Sequence, residues 1–105
     1  MDKFSKVTFI GFGLINSSLA HVFKLKTLAK ETTAFSRSKE TREKIKNLNI
    51  VDNVNDNIRE SVKDSDLIVL GVPVGAMESI VIEIAPFLKS GTIITDVGSV
   101  KKHLI

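Results

Sequence analysis

Two glycines and the polar residues around them are where this chain could do chemistry. Gly11 and Gly13 close the apolar run Val7-Thr8-Phe9-Ile10, and Leu14, Ile15 and Asn16 follow. A strand that runs through Gly-x-Gly into a helix gathers unpaired backbone N–H groups and the positive end of a helix dipole at one point, which suits a pyrophosphate. The first glycine permits the tight turn, and the second lets a phosphate approach backbone that a Cβ would shield. The usual pattern has a third glycine, where helix packs closely on strand, and Asn16 stands in its place. That side chain has two uses open to it: bonding the local backbone in the first helical turn, or donating its amide to the pyrophosphate.

A second set, Ser36-Arg37-Ser38, lies about twenty positions further on, where dinucleotide sites read the adenosine ribose. NAD is held there by an acidic residue on the ribose 2′-hydroxyl, whereas NADP needs that charge removed and an arginine supplied. Ser36 is neutral, and Arg37 can hold a 2′-phosphate by charge-assisted bonds, with Ser38 and Lys39 adding to it. The spacing points to NADP, with NAD as the alternative; the plain reading of Arg37 is a solvated turn residue.

These residues need strands and helices to position them. Residues 6–10 and 32–36 are short and rich in β-branched or aromatic types, as strands are. Residues 14–26 repeat apolar side chains at helical spacing, and 39–48 carry one narrow apolar stripe on a charged helix. Asn49 to Asn57 holds a loop with at most a short third strand, and residues 58–63 form a turn or two of helix. Residues 66–72 are continuously apolar after Asp66, as in a central parallel strand covered on both faces. Helical spacing resumes from Ala76 to Leu88, with Pro86 marking a kink or the last turn, and Thr92 to Asp96 forms a fifth strand. The expectation is α/β: one Rossmann-type domain over residues 1–105, a doubly wound parallel sheet of strand order 3-2-1-4-5. Ligands of such sheets bind outside the carboxyl ends of the strands, where Gly11 to Asn16, Ser36 to Ser38 and Gly71 to Gly75 converge.

Composition narrows the classes. The 105 residues are 43% hydrophobic, enough for one core. A net charge of +3, spread along the chain, with no Trp or Tyr, argues against nucleic acid as partner. No cysteine is present, so thiolate chemistry and disulfides are excluded, and no apolar run is long enough for a membrane span. The cytoplasm is the expected compartment, and no metal is expected.

Three runs carry a family resemblance: Ile10-Gly11-Phe12-Gly13-Leu14-Ile15-Asn16-Ser17-Ser18-Leu19-Ala20, then Leu70-Gly71-Val72-Pro73-Val74, and above all Thr95-Asp96-Val97-Gly98-Ser99-Val100-Lys101. They resemble the nucleotide-binding domain of prephenate and arogenate dehydrogenases. That family makes tyrosine precursors by NAD(P)-dependent oxidative decarboxylation. The resemblance implies that Ser99 hydrogen-bonds the substrate's ring hydroxyl, that Lys101 attracts its carboxylates, and that Val72, Pro73 and Val74 line the cofactor pocket. It also implies a catalytic histidine in a Gly-His-Pro motif and a helical C-terminal domain that makes a homodimer, both beyond Ile105. His21 and His103 lack that context, so these residues alone are expected to bind nucleotide without turnover. The alternatives are a stand-alone dinucleotide-binding module and the cofactor domain of another reductase.

Overall fold

A computed structural model describes residues 4–11 and 14–96, with the backbone alone at Leu14 and Ile15. Strands and helices alternate along it: β1 (Phe4–Ile10), α1 (Leu14–Lys26), β2 (Ala29–Phe35), α2 (Lys39–Leu48), β3 (Asn53–Asn55), α3 (Ile58–Val62), β4 (Leu67–Leu70), α4 (Val74–Ile84) and β5 (Ile93–Asp96). The five strands form one parallel sheet in the order β3-β2-β1-β4-β5. This is the expected doubly wound, Rossmann-type arrangement, with the order reversing at β1.

Strand geometry explains why the central runs are apolar without interruption. Successive side chains point to opposite faces, and both faces are covered. Val7 and Phe9 of β1 join Leu67 and Val69 of β4 in one core with Ala20 of α1. Ile10 of β1 joins Ile68 and Leu70 in the other, with Ile58 and Val62 of α3 and Ile84 of α4. Phe23 of α1 meets Phe9 edge-on at 5.8 Å. Thr8 is buried on the second face, and its hydroxyl donates to the Ser61 carbonyl at 2.7 Å and lies 2.7 Å from the Ser65 hydroxyl.

Register brings the strand ends level. Ile10 pairs with Phe35 on one side and Leu70 on the other, Phe35 with Asn55, and Leu70 with Asp96. The residues that follow, Gly11, Ser36 and Gly71, therefore leave the sheet along one edge.

Several boundaries differ from expectation. β2 begins at Ala29 because its first half pairs with β1 through backbone, Phe4 with Ala29 and Lys6 with Glu31, while Lys30 and Glu31 stay exposed. α4 begins at Val74, directly after Pro73, and ends at Ile84. Pro86 lies in a 3-10 turn, Ala85–Phe87, because proline has no N–H to continue the α ladder. Among the described residues no helix is long and apolar enough to cross a membrane.

At the opposite edge of the sheet, Asp66 ties three strands together. Its N–H donates to the Lys6 carbonyl and its carbonyl accepts from Ile93, both at 2.9 Å. Its carboxylate accepts from the Ser5 N–H and pairs with Lys89. The Lys89 hydrogen bond, followed by that from Ser5, holds the carboxyl below its ordinary value. A carboxyl depressed in the folded state stabilises above its unfolded value of about 3.9, and that contribution is lost as pH falls through the folded value. Asp66→Asn is expected to lower the thermal midpoint by about 2–4 °C at pH 7. The two midpoints should converge in acid below the folded-state value; a gap unchanged there would mean that the charge is not its source.

Candidate functional site

The carboxyl ends of β1 and β4 approach more closely than side chains allow. Gly11 has φ of 76°, and a Cβ on it would lie 2.7 Å from the Gly71 carbonyl oxygen and 2.7 Å from Val72 Cγ1. The Gly71 N–H donates to the Ile10 carbonyl at 2.7 Å. Asn16 fills what space is left, only 1% exposed. Its amide Nδ2 donates to the Gly11 carbonyl at 2.5 Å, with the Ile10 carbonyl 3.4 Å away. A Cβ on Gly71 would fall 2.5 Å from that same Nδ2.

The asparagine in the third-glycine position is thus accommodated by the glycine that follows β4. Its N–H groups face backbone carbonyls, and its Oδ1 is buried with no hydrogen-bond partner among the described residues. In this geometry the Asn16 amide nitrogen fastens the turn through the Gly11 carbonyl.

The turn after β2 is held just as firmly. The Ser36 N–H donates to the Asn55 carbonyl, and the Ser36 hydroxyl accepts from the Ser38 N–H, each at 3.2 Å. This leaves the hydroxyl's own proton to donate outward. Ser38 caps α2, its hydroxyl accepting from the Thr41 N–H at 3.2 Å. Arg42, on the first turn of α2, reaches back to donate from Nη1 to the Ser36 carbonyl at 2.8 Å. Arg37 projects into solvent, with Nη2 3.7 Å from Glu83 Oε1 on α4.

Gly11, Ser36, Arg37 and Val72 share one cleft of about 330 Å³. Ile10, Phe35 and Ile58 give it an apolar wall, and α4 supplies Ala76, Ser79, Ile80 and Glu83. Ser38 and Pro73 are exposed and are not among its walls. Leu14 and Ile15 place their backbone at the start of α1. Gly13, Ser99 and Lys101 lie outside the described residues, as does His103. A second hollow, about 390 Å³, opens beside Lys24, Thr27 and Asn49 at the amino end of β2, away from the converging loops.

Arg42, Ser79 and Glu83 escape a reading of the sequence. Arg42 carries a faint signal, one helical turn past the Ser38 cap, while Ser79 and Glu83 depend on which face of α4 turns toward β2.

An apolar slot, a glycine gap where no Cβ fits, and a hydroxyl and guanidinium at one end together suit a phosphate-bearing nucleotide. The glycine gap can be tested directly. Gly71→Ala is expected to cost about 1–3 kcal/mol in urea unfolding, because the methyl meets both the Asn16 amide and the Gly11 carbonyl. Asn16→Gly should recover part of that loss; an equal cost in both backgrounds would show that the two do not share the gap.

Comparison with known proteins agrees with this geometry. The profile of the prephenate dehydrogenase nucleotide-binding domain matches residues 19–105. Cyclohexadienyl dehydrogenase of Zymomonas mobilis is 39% identical over 105 residues, 100% of this chain and 36% of that protein. Prephenate dehydrogenase of Lactococcus lactis is 35% identical over 104 residues, 95% of this chain and 28% of that protein. The fold is shared with the solved prephenate dehydrogenase of A. aeolicus in complex with hydroxyphenyl propionate and NAD+, with TM-score 0.78, 20% identity, and coverage of 88% of this chain and 32% of that one. The chain spans about a third of the length of the curated relatives it matches. A profile match over most of its residues means that this chain belongs to the family of prephenate dehydrogenase nucleotide-binding domains.

Proposed function

We propose that this chain is the cofactor domain of a prephenate or arogenate dehydrogenase that prefers NADP and also accepts NAD. The observation that carries the preference is the end of β2. A neutral Ser36 stands where an acidic residue would take a ribose 2′-hydroxyl, and Arg37 stands beside it at the mouth of the cleft. Gly11, Gly13 and the backbone of Leu14 and Ile15 would receive the pyrophosphate, with Asn16 holding the turn in shape. Ser36, Arg37 and Ser38 would take the 2′-phosphate, and Val72 and Pro73 would flank the nicotinamide half.

A bound nicotinamide would supply the hydride acceptor for the substrate carbon that bears the ring hydroxyl, so that loss of the ring carboxylate as carbon dioxide would leave an aromatic ring. Ser99 would place that hydroxyl, and Lys101 would draw the dicarboxylate toward the loop after β5. Positioning of this kind is what such groups contribute, since reacting atoms must meet at near-contact distance. The full protein would be a cytoplasmic homodimer in tyrosine biosynthesis, with its acid–base histidine and dimer contacts outside this domain.

Binding and turnover test the two halves of this reading. Titration should find NADP bound about tenfold more tightly than NAD. Arg37→Ala should weaken NADP about tenfold while leaving NAD within about twofold, since one charge-assisted contact is lost from NADP alone. Tighter binding of NAD by the unsubstituted protein would remove the NADP preference. The intact protein, given prephenate or arogenate with NADP+, should release carbon dioxide and form NADPH; folded protein that does neither would remove the dehydrogenase assignment.

A further inference from the structure

Arg37 does not wait for a ligand with its charge free. Its guanidinium faces Glu83, and both side chains line the cleft that holds Gly11 and Ser36. The pair also closes a shallower recess beside it, at whose rim stand Asp56 and Arg59. Of the two acids, Glu83 is the one in ion-pair range of Arg37 and the one that lines both recesses. The Arg59 guanidinium lies over the Phe87 ring, 5.1 Å from its centre, and Arg42 is bonded to the Ser36 carbonyl.

We infer that Glu83 is a specificity-determining residue of this site: its carboxylate competes with a nucleotide 2′-phosphate for Arg37 and so restrains the preference for NADP over NAD. The inference rests on the proposed placement of the 2′-phosphate at Ser36 and Arg37. At 3.7 Å, with Arg37 76% and Glu83 36% exposed, the pair is loose enough for an incoming dianion to displace. Glu83 stays anchored on α4 after displacement, so its negative charge remains beside the bound phosphate and opposes it. A 2′-hydroxyl brings no charge and meets no such opposition. The site therefore holds both signs of charge by which the two dinucleotides are told apart, one from β2 and one from α4.

The test is the pair of dissociation constants for NADP and NAD, measured by isothermal titration on the intact protein. Glu83→Gln removes the charge at nearly constant shape from a partly exposed position, and the thermal midpoint checks that the fold is kept. NADP should bind about threefold to tenfold more tightly in this variant, with NAD within about twofold. Glu83→Asp, which keeps the charge, should stay near the unsubstituted ratio. The gain should shrink as ionic strength rises, because the opposed charges are screened. The inference is overturned if both constants move together, as for a contact to the adenine that the two cofactors share, or if NADP weakens. The order of the two constants in the unsubstituted protein judges the NADP preference separately: the preference can fail there while the shift in their ratio on losing Glu83 still stands.

Discussion

The close approach of the glycines that follow β1 and β4 conditions everything at the carboxyl edge of the sheet. Neither Gly11 nor Gly71 has room for a Cβ, and the Asn16 amide is wedged between them against the Gly11 carbonyl. Parallel pairing sets the two strand ends level, so the chain can leave the sheet there only by turning sharply, and the positive φ at Gly11 is that turn. The cleft exists because of it. A bulkier residue at either glycine would separate β1 from β4 and move Val72 away from Ile10.

Asn16 shows how a departure from a motif can be absorbed at a distance. A third glycine ordinarily lets the helix settle on the strand, and a side chain in that position needs an empty space to enter. Gly71 provides the space and the Gly11 and Ile10 carbonyls provide the acceptors. No local pattern around residue 16 announces this, because the compensating residue follows another strand, across a long stretch of chain.

That contrast marks how much was legible in the residues. The order of the sheet followed from alternation of apolar strands with helical segments, and β4 stood out because burial on both faces leaves it uniformly apolar. Boundaries were less legible where backbone, not burial, decides them. The first half of β2 carries exposed Lys30 and Glu31, and α4 takes its start from Pro73, while Val74, 82% exposed, adds nothing to an apolar stripe. At the site, Gly11, Ser36 and Arg37 are marked by type and spacing and Val72 by the family resemblance, and all four line one cleft. Arg42 and Glu83 were not, since their roles depend on which way two helices face.

β4 also has a mechanical meaning. It is four residues long, about 13 Å, and fully buried, with the Asp66 anchor at its amino end and the glycine gap at its carboxyl end. Segments with few buried contacts open first in the native state, and buried central strands open last. The cleft residues Ser36, Arg37 and Val72 therefore stand beside a rigid rod whose far end is pinned by ionic and backbone bonds. Amide exchange in β4 should report loss of the whole fold, while exchange at Ser36 and Ser38 should report opening of the turn after β2 alone.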